Sequence, residues 1–152
     1  MTETTPPDAA DPSAHAEPAG VVVAAGVVVA AGDPAVAPVG LPLFSDAATR
    51  TDLEDWGPLE EATGPQMTTA GITLWKDETT AAEAGIWQCT PGPSRWKLET
   101  NEFVHILAGA MTVTEDGGSP VNLTVGDTAL FPDGWKGSWH IHETVRKLYV
   151  IF

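Results

Sequence analysis

Glu102-Phe-Val-His-Ile-Leu-Ala-Gly109, followed by Gly126-Asp-Thr-Ala-Leu-Phe-Pro132-Asp-Gly134, is the stretch whose reading decides the fold. In the first part six residues separate a carboxylate from a glycine; in the second, five separate Gly126 from Pro132 and one separates Pro132 from Gly134. Phe103 to Ile106 and Thr128 to Phe131 are rich in β-branched and aromatic side chains, which pack well on a pleated surface. Between them, Glu115-Asp116-Gly117-Gly118 stands between Val113 and Val121, and paired glycines supply the positive φ of a tight hairpin. Gly109 and Gly126 fall where a strand bends or turns, and Pro132-Asp133-Gly134 reads as a turn of its own.

Working outward, strands are predicted around Thr68 to Lys76, Ala84 to Thr90, Arg95 to Glu99, Phe103 to Ala108, Ala110 to Thr114, Val121 to Val125, Thr128 to Phe131, Ser138 to Glu143 and Val145 to Phe152. Leu41 to Gly64 reads as irregular, with one helical turn near Thr51 to Asp55. Many short strands at even spacing, punctuated by glycine and proline, predict an all-β sandwich or barrel rather than an α/β fold. A jelly roll, which manages its edges by folding two sheets together, is the expected form.

Composition divides the chain into a tail, residues 1–40, and a domain, residues 41–152. The tail holds five acids, no lysine or arginine, and a short repeat from Ala19 to Gly32 built of valine, alanine and glycine. Its small side chains bury too little area to offset chain entropy, so it is expected to be disordered. The apolar run is too short to span a bilayer and lacks the basic start of a secretory signal. A valine run can also add an edge strand to a sheet or associate with another chain. The domain carries sixteen acids against seven bases, −9 of the total formal charge of −14. That balance disfavours nucleic acid and anionic membrane surfaces, both of which need clustered lysine and arginine. The single Cys89 excludes an internal disulfide and fits a reducing, cytoplasmic compartment. With no basic cluster or helix terminus beside it, Cys89 reads as a small buried hydrophobe.

From Asp55 to Phe152 the chain resembles the small single-domain branch of the cupin superfamily that includes ureidoglycine aminohydrolase-like and ethanolamine-utilisation-like cupins. The residues carrying the resemblance are Gly85-Ile-Trp-Gln-Cys-Thr-Pro-Gly92, Glu102 to Gly109, Gly126-Asp127, Pro132-Asp-Gly-Trp-Lys-Gly-Ser-Trp139 and Glu143-Thr-Val-Arg-Lys-Leu-Tyr149. The resemblance implies a cupin double-stranded β-helix, a jelly-roll barrel, and a homodimer joined through an outer sheet face. It also implies where a metal would sit. Metal cupins place two histidines, one residue apart, just before the carboxylate, and a further histidine in the second motif. Here those positions hold Trp96 and Leu98 (or Arg95 and Lys97 in the other register) and Gly137, so only Glu102 remains. Tryptophan, leucine and glycine side chains supply neither the imidazole nitrogen nor the carboxylate oxygen a divalent ion requires. No metal cofactor is therefore expected in the usual place.

Strand alternation places the other histidines. If Glu102 points inward, Val104 and Ile106 follow it and His105 points out. If position 137 faces inward, so do Trp139 and Ile141, leaving His140 and His142 outside, where their spacing can chelate a surface zinc but equally suits two solvated histidines. A bulge would reverse these assignments. The interior candidates are Glu102, Trp96, Trp139 and Phe131, with Trp87 as a neighbour, and with Lys147 and Tyr149 sharing one face of the last strand. An ionised Glu102 among aromatics needs a partner. A Lys147–Glu102 pair, or the cationic group of a ligand held by charge and cation–π attraction, would provide one. Three readings stay open: a metal-independent cupin binding a small molecule at these residues; an enzyme of ureidoglycine aminohydrolase type using a divalent metal such as manganese; and a structural or assembly protein with no ligand. Whether any reaction is catalysed is not fixed by these residues.

Overall fold

Two long strands organise the computed structural model, which describes Val22–Ala24, Val27–Val29 and Leu43–Phe152. In chain order the strands are β1 Val22–Ala24, β2 Val27–Val29, β3 Glu54–Pro58, β4 Thr68–Lys76, β5 Glu83–Cys89, β6 Gly92–Lys97, β7 Glu102–Glu115, β8 Val121–Thr124, β9 Thr128–Phe131 and β10 Lys136–Ile151. Among the described residues there is no helix, and every strand pairing is antiparallel. The fold is the all-β one expected.

The long strands β7 and β10 lie side by side and are shared between two sheet halves. The C-terminal part of β10, from Val145 to Ile151, pairs with β5, and through it with β4 and β3, while the start of β7 pairs with β9. The N-terminal part of β10, from Lys136 to Ile141, pairs with β6, and the end of β7 pairs with β8. Both halves send side chains into one core: Val104, Val145, Trp87 and Phe131 from the first, Met111, Val113, Leu123 and Ile141 from the second. The sheet is thus folded over on itself as a jelly roll.

The fold-over has a local cause. Along β7 the buried positions are Glu102, Val104 and Ile106, then Met111 and Val113, so the phase changes between Ile106 and Met111. Gly109 stands in that interval at φ +76°, a conformation that L side chains rarely adopt, and a Cβ there would run into the Thr144 carbonyl. Opposite it, β10 is bulged between Ile141 and Lys147. Sequence reading divided each of these strands into two, at Gly109 and at Thr144. The structure runs each pair on as one: Gly109 kinks β7 and a bulge bends β10, and neither ends its strand.

One expected element is different. The helical turn predicted near Thr51 to Asp55 is absent; Glu54–Pro58 is a strand paired with β4. The Asp55 carboxylate accepts the Gly57 N–H at 2.8 Å and Gly57 takes φ +81°, which shapes a bulge rather than a helical turn. A turn does form slightly earlier, where Thr49 and Arg50 N–H both donate to the Asp46 carbonyl at 2.9 Å. The domain start expected at residue 41 falls two residues before the compact unit Leu43–Phe152. The disorder expected for residues 1–40 concerns a segment mostly outside the described residues. Within it β1 and β2 pair with each other, Val22 opposite Val29.

Candidate functional site

The site is built where β10, β5 and β7 lie together. Across the β5–β10 pair, Lys147 stands opposite Trp87, Tyr149 opposite Gly85 and Ile151 opposite Glu83. Cross-strand partners share a face, so these side chains converge on one wall. Gly85 is what lets them do so: a Cβ there would lie 2.6 Å from the Tyr149 hydroxyl. The phenol therefore lies over a bare backbone and reaches along the strand to donate to Glu83 Oε1 at 2.7 Å. Burial, and then the Glu83 carboxylate, push the Tyr149 phenol well above its ordinary range, so it stays a neutral donor.

Lys147 and Glu102 form the charged centre. Lys147 Nζ donates to Glu102 Oε1 at 2.7 Å, and the two residues are only 4% and 7% exposed. The ammonium also sits 4.4 Å from the Trp139 ring centroid and 4.8 Å from that of Trp87. Ion pair and aromatic faces together compensate a charge withdrawn from water. Beside them Trp96 stacks on Trp139, with centroids 4.5 Å apart and planes at 30°. Trp96 Nε1 donates to Ser94 Oγ at 2.9 Å, and that hydroxyl donates to the Trp139 carbonyl at 3.4 Å. The Trp96 ring is consequently fixed in position.

These groups border a pocket of about 230 Å³, which Trp56, Leu98, Thr100 and Ile151 complete. Of the six residues expected to line a cavity, Trp96, Glu102, Lys147 and Tyr149 do so. Trp139 and Phe131 are not among its lining residues. Trp139 is 1% exposed, lying beneath Lys147 and Trp96, and its indole Nε1 has no hydrogen-bond partner among the described residues. Phe131 packs beside it in the core, 5.2 Å from Trp139 and 5.0 Å from Trp135. Sequence reasoning missed Glu83 and Trp56. Glu83 had a signal, since it alternates onto the same face of β5 as Trp87.

The residues present do not fit a divalent metal. Trp96 and Leu98 line the pocket with no lone pair to offer, and Glu102 already faces the Lys147 ammonium. At Gly137 the Trp135 ring fills the space a side chain would need. Among the described residues no group of three or more histidine, cysteine, aspartate or glutamate side chains converges. The histidines lie where alternation placed them. His105 is half-buried on the outer face of β7, and His140 and His142 are exposed with rings 4.8 Å apart, the latter bonded to Thr112 Oγ1 at 2.7 Å. Cys89 is 1% exposed, and burial pushes its thiol up to about 11, the character of a core residue rather than a nucleophile. No helix among the described residues is long and apolar enough to cross a membrane.

A family model described as the EutQ-like cupin domain matches residues 76–149. A protein of unknown function from Pseudomonas syringae pv. tomato, of the DUF861 family, shares the fold with a TM-score of 0.61 and 21% identity, covering 66% of this chain. This chain spans 44% of that protein's length. The EutQ protein of Clostridium difficile matches with a TM-score of 0.54 and 20% identity, over 62% of this chain and 75% of that one. A DUF861 family protein of Thermotoga maritima is 36% identical, over 44% of this chain and 76% of that one, with a TM-score of 0.43. No curated protein matches in sequence. The matched segment contains β5 to β9 and most of β10, including both long strands that fold the sheet over, and the chain belongs to the cupin superfamily.

Proposed function

We propose that this chain is a metal-independent cupin that binds a small molecule in the pocket bordered by Glu102, Lys147, Tyr149 and Trp96. The observation that carries the reading is the buried Lys147–Glu102 pair at the wall of a cavity. An ion pair withdrawn from water is not a device for stability, because well-packed apolar side chains of equal volume serve as well or better. Its place beside a cavity supports a role in orienting a ligand's polar group, as the few polar groups of small-molecule sites commonly do. At about 230 Å³ the pocket lies below the usual range for drug-sized ligands, which favours a small metabolite over a nucleotide or other large cofactor. A manganese-dependent aminohydrolase finds no support in the donor set described above.

Thermal melting of the full chain against a broad panel of small polar metabolites, and separately against manganese and zinc, tests this. A true ligand at about a hundred times its dissociation constant raises stability by ~2.7 kcal/mol. At least one organic compound should do so, and Thr100→Trp, which adds bulk at the border of the pocket, should weaken the response. A flat panel, or a manganese response exceeding every organic compound, would overturn the proposal.

A further inference from the structure

Taking the binding role just proposed as its basis, we infer that the ligand is a small organic cation, an alkylammonium held by Glu83 and by the faces of Trp56 and Trp96. Two carboxylates, Glu83 and Glu102, line the cavity against a single ammonium, Lys147. That ammonium is paired: Glu102 takes it at 2.7 Å, and the Trp87 and Trp139 rings lie 4.8 and 4.4 Å from it. Glu83 is left with the Tyr149 hydroxyl, a neutral donor. Lys76 stands opposite Glu83 across the β4–β5 pair, yet the two form no ion pair among the described residues. The cavity therefore carries one formal negative charge in excess, on a carboxylate that has spare acceptor capacity.

The aromatic lining has the same preference. Trp96 is held by its stack on Trp139 and its bond to Ser94. Trp56 is held against the bare backbone of Gly71, where a Cβ would stand 2.5 Å from its ring. Indole faces attract cations and repel anions, most strongly where water is partly excluded. An incoming carboxylate would meet Glu83 and Glu102 with no unpaired base among the lining residues, a like-charge cost that disfavours anionic ligands. Leu98 and Ile151 supply apolar contact for a short alkyl portion.

Three probes of nearly equal shape separate charge from size: isobutylammonium, isobutanol and 3-methylbutanoate. Calorimetric titration of the full chain with each, at neutral pH, should give binding of isobutylammonium at least about tenfold tighter than of isobutanol, with 3-methylbutanoate weakest. Glu83→Gln keeps an acceptor for the Tyr149 hydroxyl while removing the charge. It should leave the melting temperature of the free protein nearly unchanged and erase the preference for the ammonium. Equal or tighter binding of the neutral or anionic probe overturns the cation assignment and leaves the binding pocket standing. Retention of the full preference in Glu83→Gln overturns the role of Glu83. No binding of any of the three, together with a flat metabolite panel, overturns both this inference and the function on which it rests.

Discussion

Replacing Lys147 by methionine keeps the volume of the stem and deletes the charge. Glu102, 7% exposed, then loses its partner at 2.7 Å and remains buried as an uncompensated carboxylate. Breaking a buried pair in this way costs about 3–5 kcal/mol. For a domain of this size each kcal/mol lowers the melting temperature by roughly 3–6 °C, so the variant should melt roughly 9–30 °C below the parent. Glu102→Leu should be comparably damaging, since it strands the ammonium on the Trp87 and Trp139 rings alone. The double variant Glu102→Leu/Lys147→Met removes both charges and should recover to within about 1–2 kcal/mol of the parent, or exceed it. The double-mutant cycle, read by urea denaturation with unchanged m-values, should give a coupling of at least about 4 kcal/mol, the two single losses less that of the double variant. Additive losses, with the double variant worst of all, would refute the reasoning, because they would mean each side chain matters for its packing and not for its partner. If the pair helps to orient a ligand, the double variant folds well and binds that ligand more weakly than the parent does.

The other predictions concern fixed points of the fold. Gly109→Ala places a methyl against the Thr144 carbonyl at φ +76° and should cost roughly 1–3 kcal/mol, measurable as a lowered denaturation midpoint. Gly137→His should not restore a metal site: the Trp135 ring stands where the imidazole would go, so the variant should lose roughly 1–3 kcal/mol and gain no stabilisation from zinc in a thermal melt. Burial holds the Cys89 thiol at about 11 against its ordinary value of 9.0, so at mildly alkaline pH its thiolate fraction is about a hundredfold below that of a free thiol. Ellman's reagent should label it at least that much more slowly in the folded protein than in urea. Between those two values the unfolded chain holds fewer protons at Cys89 than the folded one. This residue's contribution to stability should therefore fall as pH rises from 9.0 toward 11, and a Cys89→Ala variant should lack that slope.

The two glycine-punctuated motifs made the fold legible because they encode backbone geometry directly. Gly109 and Gly126 take positive φ, and the hairpin at Gly117 does too. What the motifs left hidden was β3. Its Asp55-Trp56-Gly57 bulge carries no alternation, so both the strand and its pocket tryptophan went unread. For the site, alternation answered which face each residue occupies. With Glu102 and position 137 taken as inward, it placed His105, His140 and His142 outside and put Lys147 and Tyr149 on one face, because that question depends only on local pleat and register. Depth was a different question. Trp139, Lys147 and Tyr149 are all inward on β10, yet Trp139 is core while Lys147 and Tyr149 line the cavity. The difference lies in what stands around them. Trp139 is packed among Trp96, Phe131 and Trp135, whereas Tyr149 faces Gly85. A cavity opens in this roll where a cross-strand neighbour has no side chain. Gly85, an unremarked residue of the first family segment, thus does as much to position the Tyr149–Glu83 contact as either partner. Gly85→Ala is the substitution by which that claim stands: a methyl there must displace the phenol. It should weaken ligand binding as severely as Tyr149→Phe, although the methyl carries no polar group of its own, and binding left at the parent level would refute the argument.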